Sequence, residues 1–591
     1  MRNLITLLYI FLLPALLVGQ GNQTAGALKE QPINRGLEAT IDKLFGATNN
    51  PTSPGCAVTV HQDGKIIAKK DYGMASLELK VPFTHQTVVR MPYSEAREFI
   101  AIAAVLMEQD GVLKLDEPVR KYFPKLPEWS RTVTVWDLLN HRSGFVDEWS
   151  EMMLTQASMA NRLDLSEFLN LLYKQPAPSV EPGKGYMYSN SDFGLLRLIL
   201  EKASGKNLAD WLKQRVFDPL EMNSTRMQNN PLDVIPNGAI VYTPVGNKKY
   251  LMQSVQKTSP GANYFILTNA DDLERWAAAH SDNSTDVAKA THRLLANVRN
   301  LPGTENHYVF GHSYRKINEQ AVVFHEGVNG FNYLTRIPAK GLSIITFGNL
   351  SGGFAAENKS IVDYLLMTPN QSQTPQPQSQ FLTRPISISK QELQQYAGRY
   401  VWQNQTSFDS YLPVRKTSDF FVDGDTLKCS NCATDASLLP VGKDLFYFKD
   451  KDGIGFQFEF SKAALNAPMR AEVRFSDGYP SIKLQKESGE IWQPSKQELS
   501  RFTGKYYSKH LDFYWTLELN EGGKLVIKRP TIADTIIEPD GLNQFRFTID
   551  KGPGGGFDAW MLFHQDEKRR ITHFTVWHPR MMHHRFDKLE P

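Results

Sequence analysis

Cysteine is scarce in this chain, with three residues among 591. Small secreted scaffolds that depend on disulfides use cysteine far more densely, so that class of protein is excluded. Cys429 and Cys432 form a lone CxxC pair, with no further ligands nearby at the spacing of a zinc site. The pair is open to two interpretations, a local disulfide or two unreactive thiols, and no metal is expected there.

An excess of charge of either sign is also lacking. Lysine and arginine total 66, aspartate and glutamate total 63, and the net charge is +3. A balance this even gives no electrostatic footprint for a nucleic acid or an anionic membrane, so neither is expected as a partner. Hydrophobic residues make up 41% and charged residues 22%, which excludes a wholly disordered chain.

Long apolar runs are missing after the first 20 residues. Arg2 is followed by an uncharged, mainly apolar run over 4–18, which is too short to span a bilayer comfortably. This pattern is typical of a secretory signal peptide. The sequence therefore predicts a signal peptide at 1–20, a secreted or periplasmic protein, and no stable membrane anchor in the mature chain.

Three stretches follow the predicted signal peptide. Residues 36–366 mix helical and strand patterns, whereas 367–388 are rich in proline, glutamine and serine and predict a linker. The remaining chain alternates short apolar patterns with turns, as all-β domains do. Within it the string SKQEL occurs twice at an offset of 106 residues, which predicts two copies of one β-barrel unit, at 389–491 and 495–591.

Three short polar motifs stand in order within the first stretch. Ser94-Glu95-Ala96-Arg97 opens a helix predicted over 95–109, Tyr188-Ser189-Asn190 precedes a helix predicted over 191–203, and His325-Glu326-Gly327 leads into paired strands. A serine at a helix start lies near the positive end of the helix dipole, and its alkoxide can attack a carbonyl to form an acyl-enzyme. A tyrosine hydroxyl within reach can relay the proton.

With these motifs the chain resembles the serine β-lactamases, penicillin-binding proteins and related esterases and D-aminopeptidases, and it looks most similar to the class C branch. The resemblance covers about 36–366. It also rests on four longer strings: GMASLELKVPFT at 73–84, GVLKLDEPVRKYFP at 111–124, DLLNHRSGF at 137–145 and EPGKGYMYSN at 181–190.

The resemblance implies an α/β fold. It implies a β-lactamase-like domain with a mostly antiparallel sheet flanked by helices, here followed by two all-β barrel domains that look lipocalin-like. It implies Ser94 as the nucleophile and Tyr188 as the proton shuttle, acting without a cofactor on a small peptide, ester or β-lactam-like substrate.

Four further residues receive substrate-binding roles from the same resemblance. Asn190 and His325 would orient the substrate, and Gly327 would let a strand backbone approach closely. The backbone amides of Ser94 and Val328 would form the oxyanion hole. His325 stands where many relatives carry lysine, and its His-x-Gly form resembles the D-aminopeptidase and esterase members.

Arg97 departs from the family pattern. The family motif is Ser-x-x-Lys, and a lysine can lose its proton in a pocket and act as a base, whereas an arginine stays charged. Two interpretations of Arg97 are open, a structural cation that pairs with Glu98 or another carboxylate after loss of catalysis, or a charge that supports Tyr188 as the base. The function is accordingly expected to be an exported hydrolase acting on a small amide, ester or D-amino-acid peptide. The alternative is a catalytically silent relative that binds a peptide or cell-wall fragment.

Histidines accumulate near the end of the chain, at positions 573, 578, 583 and 584. They fall on predicted barrel strands and have no cysteine or carboxylate partner in the local pattern. A metal site is therefore not expected among them.

Overall fold

The computed structural model describes residues 32–91, 93–155, 164–228, 230, 233–245, 249–253, 265–296, 307–317, 320–326, 332–366, 384–403, 417–432, 434–449, 455–464, 467–475, 481–487, 492–529, 532–549, 557–578 and 580–590. The predicted signal peptide and most of the predicted linker lie outside these ranges. None of the helices in the described ranges is long and apolar enough to cross a membrane.

The helices of the first stretch are α1 (Pro32–Phe45), α2 (Tyr93–Gln109), α3 (Val135–Leu139), α4 (Glu148–Thr155), α5 (Leu165–Lys174), α6 (Asn190–Ser204), α7 (Leu208–Leu212), α8 (Ala270–Ser281), α9 (Asp286–Ala296) and α10 (Ala355–Leu366). Short turns of other helix types occur at Val119–Lys121, Glu128–Thr132, Lys213–Phe217 and Pro338–Lys340.

The strands of the same stretch are β1 (Cys56–Gln62), β2 (Lys65–Tyr72), β3 (Met74–Ser76), β4 (Val81–Pro82), β5 (Val89–Met91), β6 (Arg226–Gln228), β7 (Tyr242–Pro244), β8 (Tyr250–Met252), β9 (Phe265–Thr268), β10 (His307–Val309), β11 (His312–Ile317), β12 (Gln320–Glu326), β13 (Asn332–Ile337) and β14 (Leu342–Gly348). Seven of these described strands form the main sheet, in the order β10-β11-β12-β13-β14-β1-β2. All the described pairings in this sheet are antiparallel.

Helices cover both faces of the main sheet. Alternate residues of β1 point to opposite faces, so Val58 and Val60 join an apolar cluster with α1 and α10, whereas Ala57 joins the cluster that contains α2 and α8. Burial on both sides explains why six of the seven β1 residues are buried. The expected α/β fold, with a mostly antiparallel sheet flanked by helices, is therefore confirmed.

The predicted elements near the motifs differ from the observed ones only at their ends. Strands β1 and β2 pair as an antiparallel hairpin from 56 to 72. Helix α2 begins at Tyr93 rather than at 95, so Ser94 lies inside its first turn, and α6 begins at Asn190 rather than at 191. Residues at helix ends carry the weakest periodic signal, because their backbone groups bond to caps rather than to the helix itself.

The described elements of the first repeat are α11 (Lys390–Gln394), β15 (Gly398–Trp402), β16 (Thr417–Asp423), β17 (Thr426–Cys432), β18 (Thr434–Gly442), β19 (Leu445–Lys449), β20 (Gly455–Lys462), β21 (Met469–Phe475) and β22 (Ile482–Lys486). Those of the second are α12 (Lys496–Ser500), β23 (Gly504–Ser508), β24 (Phe513–Leu519), β25 (Leu525–Arg529), β26 (Ile532–Ile536), β27 (Glu538–Gly541), β28 (Gln544–Ile549), β29 (Phe557–Gln565), β30 (Ile571–His578) and β31 (Met581–Lys588).

The two repeats share one strand order. In the first, the eight described strands form a closed barrel, with β15 paired to both β16 and β22. In the second, the nine described strands follow the same sequence of neighbours, and β26 and β27 together take the place of β18. Because β26 and β27 are not paired with each other, this barrel is nearly closed.

Matching side chains hold the start of each repeat. The Tyr400 hydroxyl donates to the carbonyl oxygen of Tyr396 at 2.9 Å, and the Tyr506 hydroxyl donates to that of Phe502 at 2.8 Å. The equivalent pairs are 106 residues apart, as the SKQEL strings are. The expectation that the two copies are structurally alike is therefore confirmed.

The cysteines have two different states. Cys429, on β17, is disulfide-bonded, which favours the disulfide interpretation of the CxxC pair. Cys56, on β1, is a buried free thiol, and burial raises its pKa well above the usual range. Neither state points to a redox role.

The second barrel packs against the first stretch through α4. Trp149, Met153 and Leu154 of that helix belong to the same apolar cluster as the interior of the barrel. The Trp515 indole nitrogen donates to the carbonyl oxygen of Leu154 at 3.2 Å. The α4 side chains therefore help to fill the core of the second repeat.

Helix α2 is the central helix of the first stretch, because every residue from 96 to 107 is buried. A helix that is buried all round is normally apolar all round. Arg97 and Glu98 break this pattern, and charges taken out of water require charged or hydrogen-bonding partners.

Glu98 has its partners on the sheet side of α2. Its Oε1 lies 2.7 Å from Arg336 Nη1, 3.0 Å from His280 Nε2 and 2.8 Å from the Trp276 indole nitrogen. Burial alone would raise the pKa of Glu98, but Arg336 and the neighbouring histidines hold it well below its usual range. The carboxylate is therefore ionised inside the core.

We expect Glu98→Gln to lower the free energy of unfolding by about 3–5 kcal/mol, because it leaves the buried Arg336 charge without its partner. Since the folded pKa is lowered, the difference from wild type should be complete at neutral pH and shrink as the pH falls below 4.5. Urea denaturation at several pH values measures this difference.

Glu128→Gln is the matched control, because Glu128 pairs with Arg120 on the surface. An exposed pair contributes only about 0–1 kcal/mol. Equal losses of unfolding free energy in Glu98→Gln and Glu128→Gln would contradict the proposal that Glu98 stabilises the buried Arg336 charge.

Candidate active site

Arg97 lies at the centre of the candidate site. It is fully buried, and its Nη1 donates to the Tyr188 hydroxyl oxygen while its Nη2 donates to Asn190 Oδ1. The guanidinium carbon also lies 4.6 Å from the centre of the Tyr188 ring and 5.2 Å from that of Phe193. One arginine therefore joins α2 to both polar residues of the Tyr-Ser-Asn motif.

The Tyr-Ser-Asn motif is fixed by the start of α6 and by a neighbouring loop. Ser189 is the N-cap residue of α6, and its hydroxyl donates to the carbonyl oxygen of Val146 at 2.9 Å. The backbone amide of Asn190 donates to Asp147 Oδ1 at 2.8 Å. These contacts hold the Asn190 side chain in place next to Arg97.

The second barrel supplies a further cation at this site. Arg580 lies in the turn between β30 and β31, and its guanidinium carbon is 4.4 Å from the centre of the Tyr188 ring. Arg97 and Arg580 therefore both lie against Tyr188, one from each domain. The His141 ring is also close, with its centre 4.6 Å from that of Tyr188.

His141 is neutral. Burial, together with the charges of Arg97 and Arg580, lowers its pKa well below the usual range. It follows α3 with a left-handed backbone (φ 54°), and its Nδ1 is 2.9 Å from Asp192 Oδ2. This position agrees with the structural role that a helix end gives it.

Two buried carboxylates surround the motif. Burial raises the pKa of Asp192 well above its usual range, and this effect is larger than the opposite effect of the hydrogen bond from Ser143. Burial also raises the pKa of Asp147. The positive charges of Arg580 and Arg97 and the hydrogen bonds from Asn190 and Ser150 act in the opposite direction. The site is therefore a buried polar network in which two arginines face two carboxyl groups.

Four of the residues predicted for this site are placed only in part. Ser94 lies three residues before Arg97 on α2, and residues at this spacing share one face of a helix, but its side chain lies outside the described part of the chain. His325 is on β12, where its backbone is opposite Leu334 of β13, and its side chain is likewise not described. Gly327 and Val328 fall outside the described residues.

Of the predicted set, the structure brings together Arg97, Tyr188 and Asn190. Sequence reasoning missed Arg580 and Asp147. Asp147 stands two residues after the DLLNHRSGF string, and this proximity to a family motif could have indicated it as a site residue. Arg580 had no signal, because its contact with Tyr188 joins residues almost 400 positions apart.

Comparison with known proteins identifies the first stretch. The family model described as Beta-lactamase matches residues 41–365, which is more than half of the chain. Penicillin-binding protein 4* of Bacillus subtilis (strain 168) is 32% identical over 194 residues, covering 32% of this chain and 42% of that protein. The D-aminopeptidase of Brucella anthropi is 26% identical over 332 residues, covering 54% of this chain and 61% of that protein.

These matches span about 42–61% of the length of the two relatives. Among solved structures, the octameric penicillin-binding protein homologue from Pyrococcus abyssi has a TM-score of 0.50 at 20% identity. That match covers 77% of this chain and 100% of the other, and at this identity it shows the fold alone. On the family match, this chain belongs to the Beta-lactamase family, whose fold serves serine hydrolases.

Proposed function

We propose that this protein is an exported serine hydrolase that forms an acyl-enzyme at Ser94 and uses Tyr188 to relay protons. Its substrates would be small amides, esters or D-amino-acid peptides. The observation that carries the proposal is the contact of Arg97 with both Tyr188 and Asn190, one helical turn after Ser94. Family membership and the relatives named for penicillin binding and D-aminopeptidase activity support it.

The proton transfers follow from the chemistry of the three residues. A guanidinium keeps its protons and a carboxamide does not titrate, so neither Arg97 nor Asn190 accepts the serine proton. Tyr188 can take that proton on its oxygen while giving its own proton to the leaving group. The Ser94 oxygen then bonds to the carbonyl carbon, and the bond to the leaving nitrogen or oxygen breaks.

Arg97 supports this relay without changing its own charge. Because a guanidinium only donates, the Tyr188 oxygen is the acceptor in their hydrogen bond. Negative charge that develops on this oxygen during the transfer therefore meets a fixed cation in a buried site. Hydrolysis of the acyl-enzyme would follow the reverse proton transfers. Water would give a proton through Tyr188 to the Ser94 oxygen while its own oxygen bonds to the carbonyl carbon, and the bond to Ser94 would break to release the product.

A second candidate is a catalytically silent protein that binds a peptide or cell-wall fragment at the same site. The observation that favours it is again Arg97, which stands at the family's lysine position and cannot act as a base. In that case Arg97 and Asn190 would serve recognition alone.

We expect Arg97→Lys to raise the acylation rate by about 10²–10⁴-fold, because a desolvated lysine can shed its proton and accept that of Ser94. We expect Tyr188→Phe to lower the rate in the wild-type background and Ser94→Ala to abolish it. The rates are measured with a labelled penicillin and with an activated ester.

Arg120→Lys and Tyr122→Phe are matched controls, because these side chains pair with Glu128 and Glu117, and neither variant should change the rate. A gain in Arg97→Lys that persists in Ser94→Ala/Arg97→Lys would show that Ser94 is not the nucleophile. A high wild-type rate that Arg97→Lys abolishes would make Arg97 an adapted catalytic residue. Absence of labelling in every variant would favour the silent binding protein.

We also expect Arg580→Gln to slow acylation by about 2- to 30-fold, because a cation against an aromatic ring contributes roughly 0.5–2 kcal/mol. The same assay measures this effect. Arg585→Gln is its control, since Arg585 is exposed on β31 and pairs with Asp587. Equal rates in wild type and Arg580→Gln would exclude a contribution of the second barrel to the chemistry.

A further inference from the structure

Three potential metal ligands meet between α4 and the second barrel, apart from the residues of the candidate active site. Glu151 on α4, His510 after β23 and His584 on β31 each offer one ligand atom, and these atoms all lie within 4.8 Å of one another. Glu151 Oε1 is 3.0 Å from His584 Nδ1, and the two imidazole rings stack with their centres 5.0 Å apart. We call this group the interdomain cluster.

Each histidine of the interdomain cluster uses one ring nitrogen in a hydrogen bond to a residue outside the cluster. His510 Nε2 donates to the carbonyl oxygen of Leu171 at 3.0 Å, since a carbonyl only accepts, and its Nδ1 therefore carries a lone pair. His584 Nε2 is 3.2 Å from Ser508 Oγ, which leaves Nδ1 on the side of Glu151. Histidines that bind metals are held in this way, with one ring nitrogen on the ion and the other hydrogen-bonded.

Glu151 supplies an independent indication of a ligand. Its side chain is 2% exposed, and its Oε2 is buried with no hydrogen-bond partner in the described part of the chain. A carboxylate oxygen buried in this state costs free energy that a bound cation would offset. Within this one carboxylate, Oε1 contacts His584 while Oε2 is the oxygen without a hydrogen bond.

We propose that Glu151, His510 and His584 bind one Zn²⁺ ion. Two neutral imidazoles and one carboxylate are a ligand set that zinc takes at about 2.0–2.2 Å, whereas Mg²⁺ and Ca²⁺ prefer oxygen ligands throughout. A tetrahedral site separates its ligand atoms by roughly 3.3 Å, and the three atoms here lie within 4.8 Å of one another. To bind one ion the side chains must move closer together, and the two stacked rings must tilt so that both ring planes contain the ion.

The remaining coordination position would be filled by water. Glu151 and His584 are buried, whereas His510 is only partly buried, and an ion could therefore enter from its side.

A bound ion would join the two domains at α4. The same helix carries Trp149 and Leu154 into the barrel core, and Asp147, just before it, accepts the Asn190 amide. His584 is on β31, which begins directly after the turn that carries Arg580. The ion would therefore fix the surface across which Arg580 reaches Tyr188.

The test uses the full-length chain, stripped with a chelator and titrated with Zn²⁺ in a calorimeter. We expect one ion per chain, and a loss of affinity of more than about 100-fold in His510→Gln and His584→Gln, since loss of a supporting hydrogen bond alone costs about 10- to 100-fold. His583→Gln is the matched control, because His583 is the next residue on β31 and lies against Trp577 instead. Co²⁺ in place of Zn²⁺ should give the visible absorption of a tetrahedral site.

Folding is checked for each variant by circular dichroism in chelator. If the ligand variants do not fold, Ser508→Ala replaces them. It leaves all three ligands in place, removes the hydrogen bond to His584 and a longer one from the Leu511 amide, and should weaken zinc binding by about 10- to 100-fold. Wild-type protein that binds zinc no more tightly than these variants would overturn the proposal. An equal loss of zinc affinity in His583→Gln would also overturn it. The interdomain cluster would then be only a carboxylate–imidazole hydrogen bond between α4 and the second barrel.

Discussion

A positive charge that cannot be neutralised lies inside the central helix of this protein, and the candidate site is organised around it. A buried guanidinium requires oxygen atoms from neighbouring elements, because an uncompensated ion in the core costs several kcal/mol or more. Arg97 obtains them from Tyr188 and Asn190. The start of α6 is therefore held close to α2, and the loop before α4 is attached to the start of α6 through the Asn190 amide and the Ser189 hydroxyl.

Glu98, the next residue on α2, is a buried negative charge, and its positively charged partner lies on a different side of the helix. Successive helical residues point about 100° apart, so Arg97 turns toward α6 while Glu98 turns toward Arg336 of β13. The two ions thus fix the rotation of a helix whose remaining buried face is apolar and would tolerate several orientations.

Local patterns were enough to predict most elements, and they failed where partners are distant in sequence. The helical period of α2, the turn between β1 and β2 and the SKQEL repeat are all signals within a short window. The partners of Glu98 are not, since Arg336 lies 238 residues away. The interdomain cluster escaped for the same reason, because the carboxylate that meets His584 comes from 433 residues earlier.

The two β repeats share the SKQEL string and one strand order, but they differ in how their cores are completed. The first closes its own barrel around its own side chains, whereas the interior of the second includes Trp149, Met153 and Leu154 of α4. A copy whose core is completed by a neighbour is not a separate module. Changes in α4 and in the second barrel therefore constrain each other, so this repeat and the first stretch form one packing unit, whereas the core of the first repeat is built from its own side chains.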